Sequence, residues 1–447
     1  MSERTPKLSG MTGFTAAWLG QMVSVFATQM TAFGVTLWVY ERTGSATALG
    51  LTQSCFMAPL LLLSPLAGAL VDRYDRKWLM VASDLGAGLG TVTMLVLQSL
   101  GWLETWHLYV VNAVMGAFQS LQWPAWSAAV STMVPKEQLG RANGMMSLVE
   151  AGPGVLAPLL AGALLPLIHL RGLLVLDVLT FLVAVGTLLM VHVPAPRATA
   201  EGRRARGSML EESLYGFRYI AARPGLLGLQ LVVFAGNMVV GMGFTVLAPL
   251  LLLRTGNNGL VFGTVQSMGA LGGVVGGVLM SAWGGPRRRV HGVLMSWIIA
   301  GLFGQVLLGL GRNLPVWSTA MFVLGLVAAV SSTCNQTLWQ AQVAPDIQGR
   351  VFAARRLVAW LAVPLAPLLA GPLADHVLEP GMREGGGLTG LFGGWVGTGP
   401  GAGMALLCVL SGLLMALVSL GGYLWPAVRE VEGPRSEQQP ASLEGQV

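Results

Sequence analysis

Ala157-Pro158-Leu159-Leu160-Ala161-Gly162 returns unchanged 209 residues later as Ala366-Pro367-Leu368-Leu369-Ala370-Gly371. The same offset relates Arg141, in Leu139-Gly140-Arg141, to Arg350, in Gln348-Gly349-Arg350. Arg42-Thr43-Gly44 pairs with Arg254-Thr255-Gly256 at 212 residues, and Gln53-Ser54 with Gln266-Ser267 at 213. Both copies lie in mostly apolar sequence. Two halves with matched punctuation predict a duplicated helical bundle whose parts are related by an axis along the membrane normal.

Composition sets the class. The chain is 54% hydrophobic and only 10% charged over 447 residues, where a soluble domain carries about 25% charged residues. The net charge of +6 does not indicate a nucleic-acid partner, because the basic residues fall where membrane topology puts them. Cys55, Cys334 and Cys408 lie in apolar runs without metal-ligand spacing and read as small core residues. No metal and no cofactor is expected. Residues 1–13 are short and charged, and the apolar run after them is too long for a signal-peptide core, so no cleaved leader is expected.

Crossing about 30 Å of hydrocarbon takes about 20 apolar residues. Twelve such spans are predicted, near 14–40, 45–70, 78–100, 107–133, 142–168, 172–192, 225–253, 258–282, 290–311, 314–341, 349–376 and 402–425. With the N-terminus in the cytoplasm, 21 of the 26 Lys and Arg residues fall on inside segments, as the positive-inside rule requires. The expected fold is an all-α polytopic membrane protein, twelve transmembrane helices in two six-helix pseudo-repeats. Its parts are an N-terminal bundle (1–192), a cytoplasmic linker (193–223), a C-terminal bundle (224–425) and a disordered cytoplasmic tail (426–447). In the linker, Ser208-Met209-Leu210-Glu211 forms a capping box. Leu210, Leu214, Phe217 and Ala221 follow at helical spacing, which predicts an amphipathic helix on the membrane surface. The outer loop 381–401 is glycine-rich, with Leu391, Phe392 and Trp395 able to dip into the interface.

Gly68-Ala69-Leu70-Val71-Asp72-Arg73-Tyr74-Asp75-Arg76-Lys77 lies between spans two and three. It resembles the G-x-x-x-D-R-x-x-R-[RK] signature of the major facilitator superfamily, at that family's position. The resemblance covers essentially the whole chain and implies the major facilitator fold. A glycine permits close helix approach, and a carboxylate at the membrane edge needs a partner. The resemblance implies a cytoplasmic gate built from Gly68, Asp72, Arg73 and Arg76 with the start of span eleven, where Arg355 or Arg356 is the side-chain partner. Lys77 is read as setting topology only. The second copy, Gly277 to Arg289, keeps a glycine and an arginine cluster but has no aspartate, so the gate is expected to be asymmetric.

Val134-Pro135-Lys136-Glu137-Gln138-Leu139-Gly140-Arg141-Ala142-Asn143-Gly144 and Leu176-Asp177-Val178-Leu179-Thr180-Phe181 resemble, more loosely, the drug:proton antiporter branch that includes macrolide efflux proteins and the enterobactin exporter. Antiporters of the superfamily carry G-P-x-x-G-G in span five. Here Ala157 and Ala161 replace two of those glycines, which weakens the antiport implication while keeping small residues around Pro158.

Three intramembrane carboxylates are candidates for proton coupling. Glu150 lies about 12 Å into span five, as a proton carrier or cation contact, or else tied to neighbouring Ser or Asn groups. Asp177 suits a proton carrier and a structural hydrogen bond equally. Asp84 is expected in the gate network around Arg76. In the superfamily, spans one, four, seven and ten line the central cavity. Their polar residues, Gln21, Ser24, Thr28 and Thr31, Gln119 and Gln122, Gln230 and Asn237, and Ser331, Asn335 and Gln336, are candidates for a substrate cavity or for helix–helix contacts. Trp123, Trp126, Met238 and Met242 offer an adaptable wall for bulky ligands.

Together these readings describe a proton-coupled exporter of a small amphipathic compound (a drug, siderophore or other secondary metabolite), monomeric in the inner cell membrane, with both termini cytoplasmic. An uptake carrier or uniporter, and a non-transporting scaffold or receptor, are the other readings. An enzyme is not expected, since no serine elbow, metal cluster or phosphate loop occurs, and Gly86-x-Gly88-x-Gly90 reads as packing inside a span. Asp72→Asn is expected to bias the protein toward the inward-open state; unchanged cysteine accessibility from the cytoplasmic face would sink the gate assignment.

Overall fold

The computed structural model describes residues 8–135, 138–194, 209–343 and 347–433. The side chains of Gly68, Asp72, Arg73 and Glu150 lie outside the described residues, as do Ser208 of the expected capping box and the side chains of Leu210 and Leu214. The described backbone is overwhelmingly helical. Its isolated bridge pairs Leu8 with Val191. Helix is the expected solution where no water is available to backbone groups.

Among the described residues, ten helices are long and apolar enough to cross a membrane. They account for eleven passes, because one of them is long enough for two, and a pair of shorter helices supplies the twelfth. The helix Leu139–Met190 has 52 residues and would reach about 78 Å if straight, against about 30 Å of hydrocarbon. It breaks at His169, where φ is 54° and ψ 178°, and so supplies passes five and six. Thr105–Gln119 and Gln122–Met133, of 15 and 12 residues, are each too short alone and together make pass four. Pro124 explains that interruption, because it has no N–H for the carbonyl of Ser120 one turn back. The remaining passes are Gly10–Thr43, Ala46–Arg73, Arg76–Ser99, Pro224–Thr255, Gly259–Trp283, Arg289–Leu310, Leu314–Gln342, the helix from Gln348 to Gly381, and Ala402–Leu424. Passes nine and eleven each contain a π-helical stretch, Ala300–Val306 and Leu373–Leu378.

The chain packs as two compact units. One comprises Met1–Arg197 with Ala248–Ser267, the other Ala198–Leu247 with Met268–Val447. In the first, Phe14, Val71, Met80, Trp126 and Leu188 build a core near the N-terminal motif. Lys77 Nζ donates to the carbonyls of Leu189 and Val191 at 2.8 and 2.6 Å, closing the end of pass six; its role is thus structural as well as topological. The repeated hexapeptide marks close approach. A Cβ on Gly162 would lie 2.6 Å from the Gly259 carbonyl oxygen, and Phe33 stacks on Phe262 at 5.0 Å.

In the second unit the corresponding Ala366 is fully buried, and its methyl lies against Gly241 of pass seven. Met209–Ala221 is helical as expected. Part of its described apolar face is covered by protein. Ile220 and Phe217 join the core with Leu226, Trp339 and Val351, because an apolar face finds a protein partner there. The outer loop contains a helix, Thr389–Val396, whose Leu391 and Trp395 are exposed. The tail also begins later than its polarity suggests. Val428 and Val431 are fully buried, and Glu432 accepts the backbone N–H groups of Arg289 and Val290 at 3.0 and 3.1 Å, capping the start of pass nine.

A non-glycine residue at the His169 dihedrals carries about 1–3 kcal/mol of strain. His169→Gly is therefore expected to stabilise the protein by about 1 kcal/mol, seen as a higher melting temperature in detergent, while His169→Ala gives no gain. A lower melting temperature for the glycine variant would show that the break lies elsewhere.

Candidate functional site

Two carboxylates in the first unit, Asp177 buried and Asp84 half-buried, are held by pass one. Gln21 and Thr28, seven residues apart, share one helical face. Gln21 Nε2 donates to Asp84 Oδ2 at 2.6 Å, and Gln122 Nε2 donates to Asp84 Oδ1 at 2.9 Å and to Gln21 Oε1 at 3.2 Å. Passes one, three and four therefore meet at Asp84. Two turns along, Thr28 donates to Asp177 Oδ1 at 2.8 Å and Thr91 to Asp177 Oδ2 at 3.0 Å. Asp177 is 2% exposed. The two clusters are separated by the seven-residue step from Asp84 to Thr91, about 10 Å along the axis.

Local sequence makes this approach possible. Gly86, Gly88 and Gly90 have no room for a Cβ, since Phe118, Phe181 and Met115 occupy that space. The ring of Phe181, one turn after Asp177, lies over Gly88, one turn before Thr91. Pass six can then come close enough for the Asp177–Thr91 bond. The interruption after Gln119 places Gln122 at the start of a fresh helical segment beside Asp84.

The structure corrects the expected place of Asp84. It joins Gln21 and Gln122 rather than Arg76, because its position on pass three turns it toward passes one and four. Thr91 was not singled out in the sequence; a threonine in an apolar run carries no signal, although its seven-residue step from Asp84 does. Trp126 is 5% exposed and packed edge-on to Phe14 at 5.9 Å. It is a core residue rather than an open wall. Gln119 ends the first segment of pass four and joins neither cluster.

In the second unit, Gln230 Nε2 donates to the Arg355 carbonyl at 3.1 Å and Asn237 Nδ2 to the Ala359 carbonyl at 3.2 Å. These cavity candidates fasten pass seven to pass eleven. The Arg355 guanidinium lies 5.3 Å from the Trp339 ring centroid and 5.5 Å from that of Phe352, and its Nη1 is buried without a hydrogen-bond partner. Arg356 is exposed and stacks over Trp360 at 4.7 Å. Asn335 has a buried, unpartnered Oδ1, and Gln336 is half-buried one residue on. Gln305, fully buried in the π-helical stretch, donates to the Val240 carbonyl at 3.1 Å. It lay outside the expected lining passes.

Twelve helical passes from a duplicated chain, with carboxylates buried inside the bundle, define a multi-pass membrane transporter. The family model of the Major Facilitator Superfamily matches residues 17–367, and the chain belongs to that superfamily. It is 26% identical over 373 residues to macrolide efflux protein A of Streptococcus pyogenes, covering 81% of this chain and 90% of the relative. It is 25% identical over 344 residues to the enterobactin exporter EntS of Salmonella choleraesuis (strain SC-B67), covering 76% and 80%. Among solved structures, a bacterial homologue of the human lysosomal transporter Spinster, inward-facing and unoccupied, superposes with a TM-score of 0.69 at 16% identity, covering 95% of this chain and 98% of that one. The nucleoside transporter NupG gives a TM-score of 0.65 at 11% identity, covering 93% and 100%. These two share the fold.

Thr91→Val removes the hydroxyl donor that pass three gives Asp177. It is expected to lower stability by about 1–2 kcal/mol, read as a lower melting temperature, whereas Thr93→Val, on an exposed face of the same pass, is neutral. Equal melting of both variants would show that the Asp177 cluster does not hold the bundle.

Proposed function

We propose that the chain is a proton-coupled exporter of a small amphipathic compound, a drug, siderophore or other secondary metabolite, working by alternating access. The observation that carries the coupling is Asp177, a carboxylate buried in a membrane bundle and bonded to neutral hydroxyls, Thr28 and Thr91. Such a group can take up and release a proton with little rearrangement, and an intramembrane carboxylate is costly enough to keep only where it is used. Glu150, on pass five, is assigned as a second proton carrier on its depth in the sequence. The direction is supported by similarity to relatives named for efflux and export.

The moving bodies are assigned as residues 1–192 and 224–425, joined by 193–223. Gly68, Asp72, Arg73 and Arg76 with Arg355 and Arg356 are assigned to the cytoplasmic gate; the orphaned Nη1 of Arg355 supports that arginine's place in it. The protein is assigned as a monomer in the inner cell membrane with both termini cytoplasmic, and with no cofactor.

The deciding experiment compares wild type with Asp177→Asn and Glu150→Gln. Mass spectrometry of medium and cell extract, with and without the gene, identifies the compound that accumulates inside when export is lost. Inside-out vesicles should then take it up under an imposed proton gradient, and the variants should lose at least about tenfold of that uptake. A compound left in the medium of the deletion strain would mean uptake instead. Gradient-independent movement in wild type would remove proton coupling.

A further inference from the structure

The Asp84 cluster has more acceptors than donors. Gln122 Nε2 is committed to both Asp84 and Gln21, and the orientation of the Gln122 amide follows from this, because Gln21 Oε1 and an ionised Asp84 can only accept. Gln122 Oε1 must then face the other way, where it is buried with no hydrogen-bond partner. A buried acceptor without a donor is destabilising. The Asp84 bonds come from Gln21 and Gln122, both neutral amides, which use two of about four lone-pair positions on its carboxylate. Among the described residues no cation pairs with it.

An aromatic side chain flanks the cluster at helical spacing, since Trp18 lies one turn before Gln21. Trp18 is half-buried, its indole N–H committed to the Met145 carbonyl at 2.6 Å, which leaves the ring's face as its remaining feature. Asp84 and Gln122 are themselves only half-buried. The terminal amide torsion of a glutamine has broad minima, so Gln122 Oε1 can turn toward an arriving donor.

We infer that Asp84, Gln122 and Gln21 form a recognition subsite for a protonated amine. An ammonium matches each unmet need: positive charge for the carboxylate, N–H donors for Asp84 and Gln122 Oε1, and attraction to the indole face of Trp18. An anion meets a like charge there. A neutral alcohol supplies a donor without the charge, and a quaternary ammonium supplies the charge without a donor. This deepens the export reading by naming the class of compound carried, an amphipathic amine, and it places Asp84 in ligand recognition with Asp177 left to the proton.

The test is equilibrium dialysis of the full-length protein in lipid nanodiscs at one fixed pH without a gradient, corrected with empty nanodiscs. The probes are 1-naphthylmethylamine, its N,N,N-trimethyl analogue and 1-naphthylmethanol. The amine is expected to bind most tightly, the trimethyl analogue less, and the alcohol about tenfold or more below the amine. Asp84→Asn should remove the amine's advantage over the alcohol. Gln122→Met should remove its advantage over the trimethyl analogue, while Thr93→Val, on the exposed face of pass three, leaves the order intact. Each variant is first checked for a cooperative melt. Equal binding of amine and alcohol to wild type, or an Asp84→Asn variant that keeps the preference, would overturn the inference. Binding here is independent of proton-driven export, so either result leaves the coupling experiment to be decided by its own vesicles.

Discussion

Everything in this molecule answers to the absence of water in the hydrocarbon region. Backbone groups must bond within their own helix, which leaves side chains to make the few polar contacts between passes. Those contacts are concentrated on pass one. Gln21 and Thr28 each reach a carboxylate from another pass, so one helical face organises passes three, four and six. The glycines of pass three serve the same end, since two bonds under 3.1 Å to Asp177 require helices closer than ordinary side chains allow.

The two units meet their polar needs differently. In the first, side chain bonds side chain around carboxylates. In the second, Gln230, Asn237 and Gln305 each donate to a backbone carbonyl of another pass. Such bonds leave no ionisable group behind, so they suit fastening. Carboxylate clusters can change charge.

Much of the fold was legible in the sequence because hydrophobic length is a local property. The turn between passes five and six was placed at 168–172, and the break falls at His169. Gln21 and Thr28 were placed on one face, and helical periodicity alone suffices for that. Partner choice was not legible. Asp84 was assigned to Arg76 from sequence proximity, but the rotation of pass three decides which neighbours it meets, and that rotation is set by Gly86, Gly88 and Gly90 packing on distant rings. Trp126 was read as part of an adaptable wall for ligands, but the residue it packs on, Phe14, lies 112 residues away in the chain. The polar look of the C-terminal segment hid Val428 and Val431, two apolar residues too few to register as a pattern.

That segment has a consequence for how the protein is made. Pass nine enters the membrane well before residue 432 is synthesised, so the first N–H groups of its helix wait without their cap until the ribosome has almost finished. A chain cut short before Glu432 would keep its passes yet lack the clasp that joins the ends of passes seven, nine and twelve. Premature termination there would thus leave an open helix end, and affinity tags belong after residue 433 rather than in place of the segment before it.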